Sequence, residues 1–270
     1  MSGLERAARD LQHLEELAGR DTPVHRRHPL AKVLTTLAFL VVAATFPKYA
    51  WTGLLPLAAY PVAVIAMGEL PGRAILRRLL PAMPFALFLG LANLFLDRTV
   101  LGRIGALTVT GGWVSLAAIL TKVGLTVAAA LTLVATSGLP AVCAALSRLR
   151  VPRIFLAQLL LIYRYLFVLG EEAARTARAY ALRAPESRGI HYRAWGSLLG
   201  QILLRALARA QRIHQAMLCR GFGGEFPRAA AGGMGWGDLA WVAGWSLFFI
   251  AARIYDLPLM LGALLTGGRR

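Results

Sequence analysis

Cysteine is nearly absent from this chain of 270 residues: only Cys143 and Cys219 occur. They form no CxxC pattern, so neither a disulfide framework nor a zinc site is expected. Acids are scarce too, 13 against 30 Lys and Arg, which leaves a net charge of +17. No G-x-x-x-x-G-K-[ST] stretch occurs, so the chain has no P-loop with which to bind ATP itself. Gly221-Phe222-Gly223-Gly224 and Gly232-Gly233 lack the strand and lysine context of a phosphate loop and read as flexible connections. The polar segment Met1 to His28 lacks the early apolar stretch of a secretory signal peptide. His25 and His28 stand three apart, but no second cluster joins them. A solvated or lipid-headgroup role is expected for them, and no metal or cofactor site.

Apolar residues are abundant: 57% of the chain, with a mean hydropathy of +0.59. Soluble domains sit nearer 45–50%, so the excess points to a bilayer. Five blocks are long enough to span one: 30–46, 50–67, 79–96, 113–136 and 236–255. Pro56 and Pro61 are expected to kink the second, and Pro81 and Pro84 lie early in the third. The basic charge then belongs on loops facing anionic lipid, not on a nucleic-acid surface. Arg20, Arg26, Arg27 and Lys32 place the N-terminus inside. A 68–78 loop with Arg73, Arg77 and Arg78 is inside, and a polar, glycine-containing connection over 97–112 is outside. The C-terminus falls outside, which Arg269 and Arg270 fit poorly unless the 257–268 tail is re-entrant. Leu4, Leu11, Leu14 and Leu17 mark an amphipathic surface helix over 3–19.

The region 137–235 has another character. Between Leu139 and Arg228 there are 14 Arg, no Lys and four acids. A short helix covers 140–150. A longer one over 153–184 is apolar in its first half and amphipathic in its second, and Pro185 stops it. A third over 192–221 carries Leu199, Leu203, Ala206, Ala210, Ile213 and Met217 at steps of four and three, a helix seam. Matching stripes on the two long helices suit packing on each other or on a partner. Each helix ends in an arginine before a breaker: Arg183 before Ala184-Pro185, and Arg220 before Gly221. The plain reading is an arginine at the negative end of a helix dipole. The sharper one is a planar guanidinium carried on an exposed tip into an acidic groove.

Several stretches resemble the transmembrane T component of energy-coupling factor transporters (EcfT/CbiQ), most closely the cobalt-transport branch called CbiQ. They are His28-Pro29-Leu30-Ala31-Lys32, Ala135-Thr136-Ser137, Val151-Pro152, Tyr163-Arg164-Tyr165 with Glu171, and Gln215-Ala216-Met217-Leu218-Cys219-Arg220-Gly221-Phe222. The resemblance implies a complex with two ABC ATPase subunits, which bind the ATP, and a separate membrane substrate-binding subunit that selects the metal. It also implies two arginine motifs that enter grooves on the ATPases. Cys219-Arg220-Gly221 matches the second. Leu182-Arg183-Ala184 is the placement for the first, and Ser187-Arg188-Gly189 competes with it. The implied role is coupling ATP hydrolysis to cobalt uptake, with nickel or a vitamin as alternative substrates.

Within the spans, Lys122 stands out, because an intramembrane charge is a functional candidate by default. It faces Asn93 or a partner on one reading, and snorkels or pairs within the bundle on the other. Arg164, Glu171 and Glu172 are expected to be structural, locking one helix face by ion pairs at i+7 or across helices. An intramembrane enzyme would need paired carboxylates, or a histidine in a span, and the blocks hold neither. A stand-alone permease would rest on Lys122 alone. The expected architecture is all-α: residues 1–29 as surface helix and lead-in, 30–136 as four spans, 137–235 as cytoplasmic coupling helices, and 236–270 as last span and tail.

Overall fold

The computed structural model describes residues 18–48, 51–96, 99–104, 107–183, 190–224 and 233–254. The expected 3–19 surface helix and the 257–268 tail lie outside them, apart from residues 18 and 19. Nine α-helices carry the described fold: α1 (Pro29–Thr45), α2 (Trp51–Leu54), α3 (Ala59–Met67), α4 (Gly72–Leu79), α5 (Met83–Leu96), α6 (Gly111–Arg148), α7 (Arg153–Arg183), α8 (Tyr192–Cys219) and α9 (Trp236–Ile254). Helix α1 begins on Pro29, whose missing N–H costs nothing in a first turn. His28 caps it, its Nδ1 accepting from the Leu30 N–H at 3.1 Å.

The prolines break the second and third apolar blocks locally. Short 3₁₀ turns at Pro56–Ala58 and Leu80–Ala82 interrupt them, while Pro61 and Pro84 sit in the first turns of α3 and α5. Two stretches read as loops are ordered. The 68–78 segment is helical from Gly72 onward, because Ile75 and Leu79 stand four apart and bury one face. The 97–112 connection holds a two-stranded antiparallel hairpin, Val100–Ile104 with Leu107–Thr110, pairing Arg103 with Thr108. The β-branched residues of that stretch outweighed its glycines.

Contacts divide the chain into two units at Gly138. One holds the described residues of Leu17–Gly138 and Gly232–Arg270, the other those of Leu139–Ala231. The break lies inside α6, where Gly138 takes φ +69°, ψ 155°, a conformation open to glycine. In the first unit α9 packs along α1 and adds aromatic rings to the core. Phe39, Tyr60, Trp245 and Phe249 lie with ring centroids 5.1–5.8 Å apart, mostly edge to face. The Tyr60 hydroxyl is satisfied by Thr36 Oγ1 at 2.9 Å.

Two lysines fasten α1 to the first part of α6. Lys32 Nζ donates to the Thr136 carbonyl at 2.8 Å. At the other end, Lys122 Nζ donates to the carbonyls of Ala44 and Phe46 at 3.2 and 3.0 Å. Each ammonium serves carbonyls of the other helix, so the two helices run antiparallel.

Among the described residues four segments suit a bilayer by length and composition: Gly72–Leu94, Gly111–Arg148, Arg153–Arg183 and Trp236–Ile254. Pro29–Thr45 and Trp51–Met67 are shorter apolar helices. Large side chains such as Val41, Val62, Phe85, Phe88 and Leu247 point outward. That pattern suits lipid, not water, and the protein is a multi-pass helical membrane protein. Helix α7, read from sequence as part of the cytoplasmic portion, has the length and apolarity of a span.

Phe249 is fully buried at the centre of the ring cluster. Phe249→Ala is expected to cost about 3–5 kcal/mol, read as a lowered unfolding midpoint of the detergent-purified protein.

Candidate functional site

The second unit is built on the helical pair α7 and α8. Pro152 precedes α7 and its carbonyl accepts from the Phe155 N–H at 3.1 Å, closing the first turn. His191 caps α8, its Nδ1 accepting from the Arg193 N–H at 3.3 Å. One buried carboxylate ties the pair together. Glu172 of α7 meets Arg209 of α8 at 2.8 Å and Arg205 at 3.8 Å. Glu171 turns outward to Arg175, one turn on, at 3.9 Å. Of the two arrangements expected for these acids, the one across helices forms at Glu172, while Arg164 lies over the Tyr165 ring at 6.0 Å. The seven-residue spacing from Arg164 to Glu171 is two turns, beyond the neighbouring-turn reach of helix pairs. The α8 arginines at 205 and 209, four apart on one face, take Glu172 instead.

From Leu203 to Met217 the seam read from the sequence lines a groove of about 670 Å³ between α7 and α8, with Leu161 and Tyr165 opposite; Leu199 is exposed outside it. Further apolar side chains, Phe155 and Leu204 among them, remain exposed.

Both terminal arginines are exposed. Arg183 is the last helical residue of α7. Arg220 is the C-cap of α8, and the chain reverses immediately after it. Gly221 takes φ +76°, its N–H donates to the Leu218 carbonyl at 2.9 Å, and the Phe222 N–H donates to the Met217 carbonyl at 3.0 Å. That pair of bonds is the Schellman closure, in which a left-handed residue turns the chain back over the last carbonyls. Phe222 and Met217 both line the groove, so the apolar contact that accompanies such a closure is made on the groove wall. Among the described residues neither Arg183 nor Arg220 takes an ion-pair partner. Ala184 and the competing Arg188 lie outside the described residues.

The intramembrane polar candidates separate. Asn93 donates to Ser115 Oγ at 2.5 Å, whereas Lys122 serves the end of α1. Those carbonyls belong to the last turn and the C-cap of α1, where no following helical N–H can reach them. A lysine there also meets the negative end of the helix dipole. The sequence could not reveal this pairing, because it joins residues more than 70 apart.

The histidines of the lead-in segment have local partners. His25 Nδ1 shares a hydrogen bond with Thr22 Oγ1 at 2.7 Å. Nearby, the Arg26 guanidinium donates to both carboxylate oxygens of Asp21 and holds that carboxyl below its usual range. Asp238, which sequence reasoning passed over, organises the start of α9. Its carboxylate accepts from the backbone N–H of His28 at 3.2 Å and of Gly235 at 3.1 Å, with Arg27 at 3.8 Å. An acid in the first turn of a helix, two residues after Trp236, was the available signal. Among the described residues no three His, Cys, Asp or Glu side chains gather as metal ligands.

The described residues make a multi-pass helical membrane protein that carries two long helices ending in exposed arginines. The cobalt transport protein family, CbiQ, matches residues 21–229, and the chain belongs to that family. It is 30% identical over 205 residues to the cobalt transport protein CbiQ of Rhodobacter capsulatus, covering 74% of this chain and 81% of that one. It is also 30% identical over 95 residues to the nickel permease LarQ of Lactiplantibacillus plantarum, 35% of each chain.

Two substitutions probe this geometry. Glu172→Gln leaves two guanidinium groups without their carboxylate and is expected to cost about 1–3 kcal/mol, measured as a lowered unfolding midpoint. Gly221→Ala places a Cβ at a left-handed position. It is expected to speed amide exchange of the α8 last turn about tenfold, through easier local opening.

Proposed function

We infer that this protein is the non-catalytic transmembrane coupling subunit of an energy-coupling-factor ABC importer for cobalt ion. In this reading two partner ATPases bind and hydrolyse ATP. Arg183 and Arg220 enter grooves on them, and α7 and α8 carry the resulting motion to a separate membrane subunit that holds the ion. The single observation that supports it best is the Arg220 tip: an exposed guanidinium on a helix end held by a glycine closure, within a stretch that resembles the family's second arginine motif. Arginine suits such a contact because its fork offers two parallel N–H donors to a carboxylate. Arg183 is the companion contact, with Ala184 beside it and Arg188 as the rival placement. On this reading residues 137–235 form the cytoplasmic coupling portion, next to a plasma-membrane bundle made of 30–136 and 236–270.

A nickel cargo is the second reading, favoured by the likeness to the nickel permease. The two readings share one coupling mechanism, since cargo choice would rest with the substrate-binding subunit.

Co-purification tests the coupling role. The native chain is expected to retain its ATPase subunits from solubilised membranes. Arg183→Glu with Arg220→Glu is expected to lose them while still inserting. A double variant that keeps both its ATPases and its uptake sinks the reading. Uptake of labelled Co²⁺ against Ni²⁺ by the native complex decides the cargo.

A further inference from the structure

In an α-helix the carbonyl of residue i accepts from the amide of residue i+4. For Thr136 that residue is Pro140, which has no N–H and whose ring crowds the same carbonyl. Gly138, midway between them, has left the helical conformation. Thr136 is buried, and a buried carbonyl without a donor is unfavourable. The side chain of Thr136 cannot help, since its hydroxyl donates back to the Thr132 carbonyl at 2.8 Å. The missing donor comes from another helix: Lys32 Nζ, 2.8 Å from the Thr136 oxygen.

Lys32 is only 4% exposed. Burying an ammonium costs far more than burying a methylene chain, so packing alone would be served better by leucine or methionine. What the lysine adds is a donor long enough to cross from the first turn of α1 to the broken turn of α6. Asp238 supplies the opposing charge in its field.

We propose that Lys32 is a positioning residue for coupling, holding the break at Gly138 in one geometry by occupying the carbonyl that Pro140 leaves bare. The chain passes through this break between its two units and leads on to the helices that carry Arg183 and Arg220. A loose break would let the arginine helices move without displacing the membrane-embedded unit. This role rests on the coupling function inferred above, while the latch itself is a property of the chain alone.

The test reads both levels. Spin labels at Ala130→Cys and Leu149→Cys, with Cys143→Ala and Cys219→Ser as background, report the distance across the break in the full chain in lipid nanodiscs. One narrow distribution is expected with Lys32 and with Lys32→Arg, and a broad one with Lys32→Met. In the complete complex in proteoliposomes, Lys32→Met is expected to keep ATP hydrolysis and lose about tenfold in Co²⁺ taken up per ATP hydrolysed. An unchanged distance in Lys32→Met overturns the latch, and a broadened distance with native uptake per ATP overturns the positioning role. Should Lys32→Met fail to insert, adding Pro140→Ala returns an N–H to the turn and is expected to restore insertion. Failure of that rescue also overturns the proposal. The distance does not depend on ATPase docking, so failure of the coupling reading appears separately, as co-purification that survives loss of Arg183 and Arg220.

Discussion

One carbonyl constrains much of this molecule. A proline at 140 cannot complete the turn that begins at Thr136, so the longest of the described helices must break there, and the break must find a donor elsewhere. Lys32 provides it. That bond sets α1 against α6 at one end, and the Lys122 bonds to Ala44 and Phe46 set the same helices together at the other. With α1 held, α9 can lie along it, Asp238 can receive the N–H of His28, and the rings of Phe39, Tyr60 and Phe249 can close over one another. The chain holds only three lysines, and two of them do this work. A slender ammonium with freely rotating protons suits a single carbonyl better than a planar fork does.

Arginine dominates the other unit for the complementary reason. Glu172 is bound by two guanidinium groups from neighbouring turns of α8, an arrangement that uses the width of the fork. The remaining arginines crowd the outer faces of α7 and α8. There they keep charge in a region whose apolar residues would otherwise suit lipid, which is why α7 has the composition of a span and yet ends in an amphipathic half.

Much of the fold was legible because bilayer-length apolar runs and helix seams are properties of contiguous sequence. The apolar blocks, the glycine stop at Gly221, the proline-marked start of α7 and the seam from Leu203 to Met217 all follow from neighbours within a few turns. The ordered 72–79 and 100–110 segments were missed because glycine and arginine content hid short patterns, an i,i+4 pair in one and a β-branched run in the other. The lysine bonds, the Glu172 bridge and the Asp238 node were illegible for a different reason. Their long-range bonds join residues between 33 and 210 positions apart, and no local periodicity carries that information. For the terminal arginines, helix ends could be read directly, whereas their solvent exposure needed coordinates.

The closure at Gly221 has a consequence for recognition. Two backbone bonds and an aromatic side chain pressed toward the groove wall leave the peptide at Arg220 almost no freedom to surrender. Any surface that grips this guanidinium therefore has one side chain to order and little backbone, which lowers the ordering cost of the contact. The tip behaves as a rigid peg, and a pull applied to it passes into α8 without first stretching a slack loop.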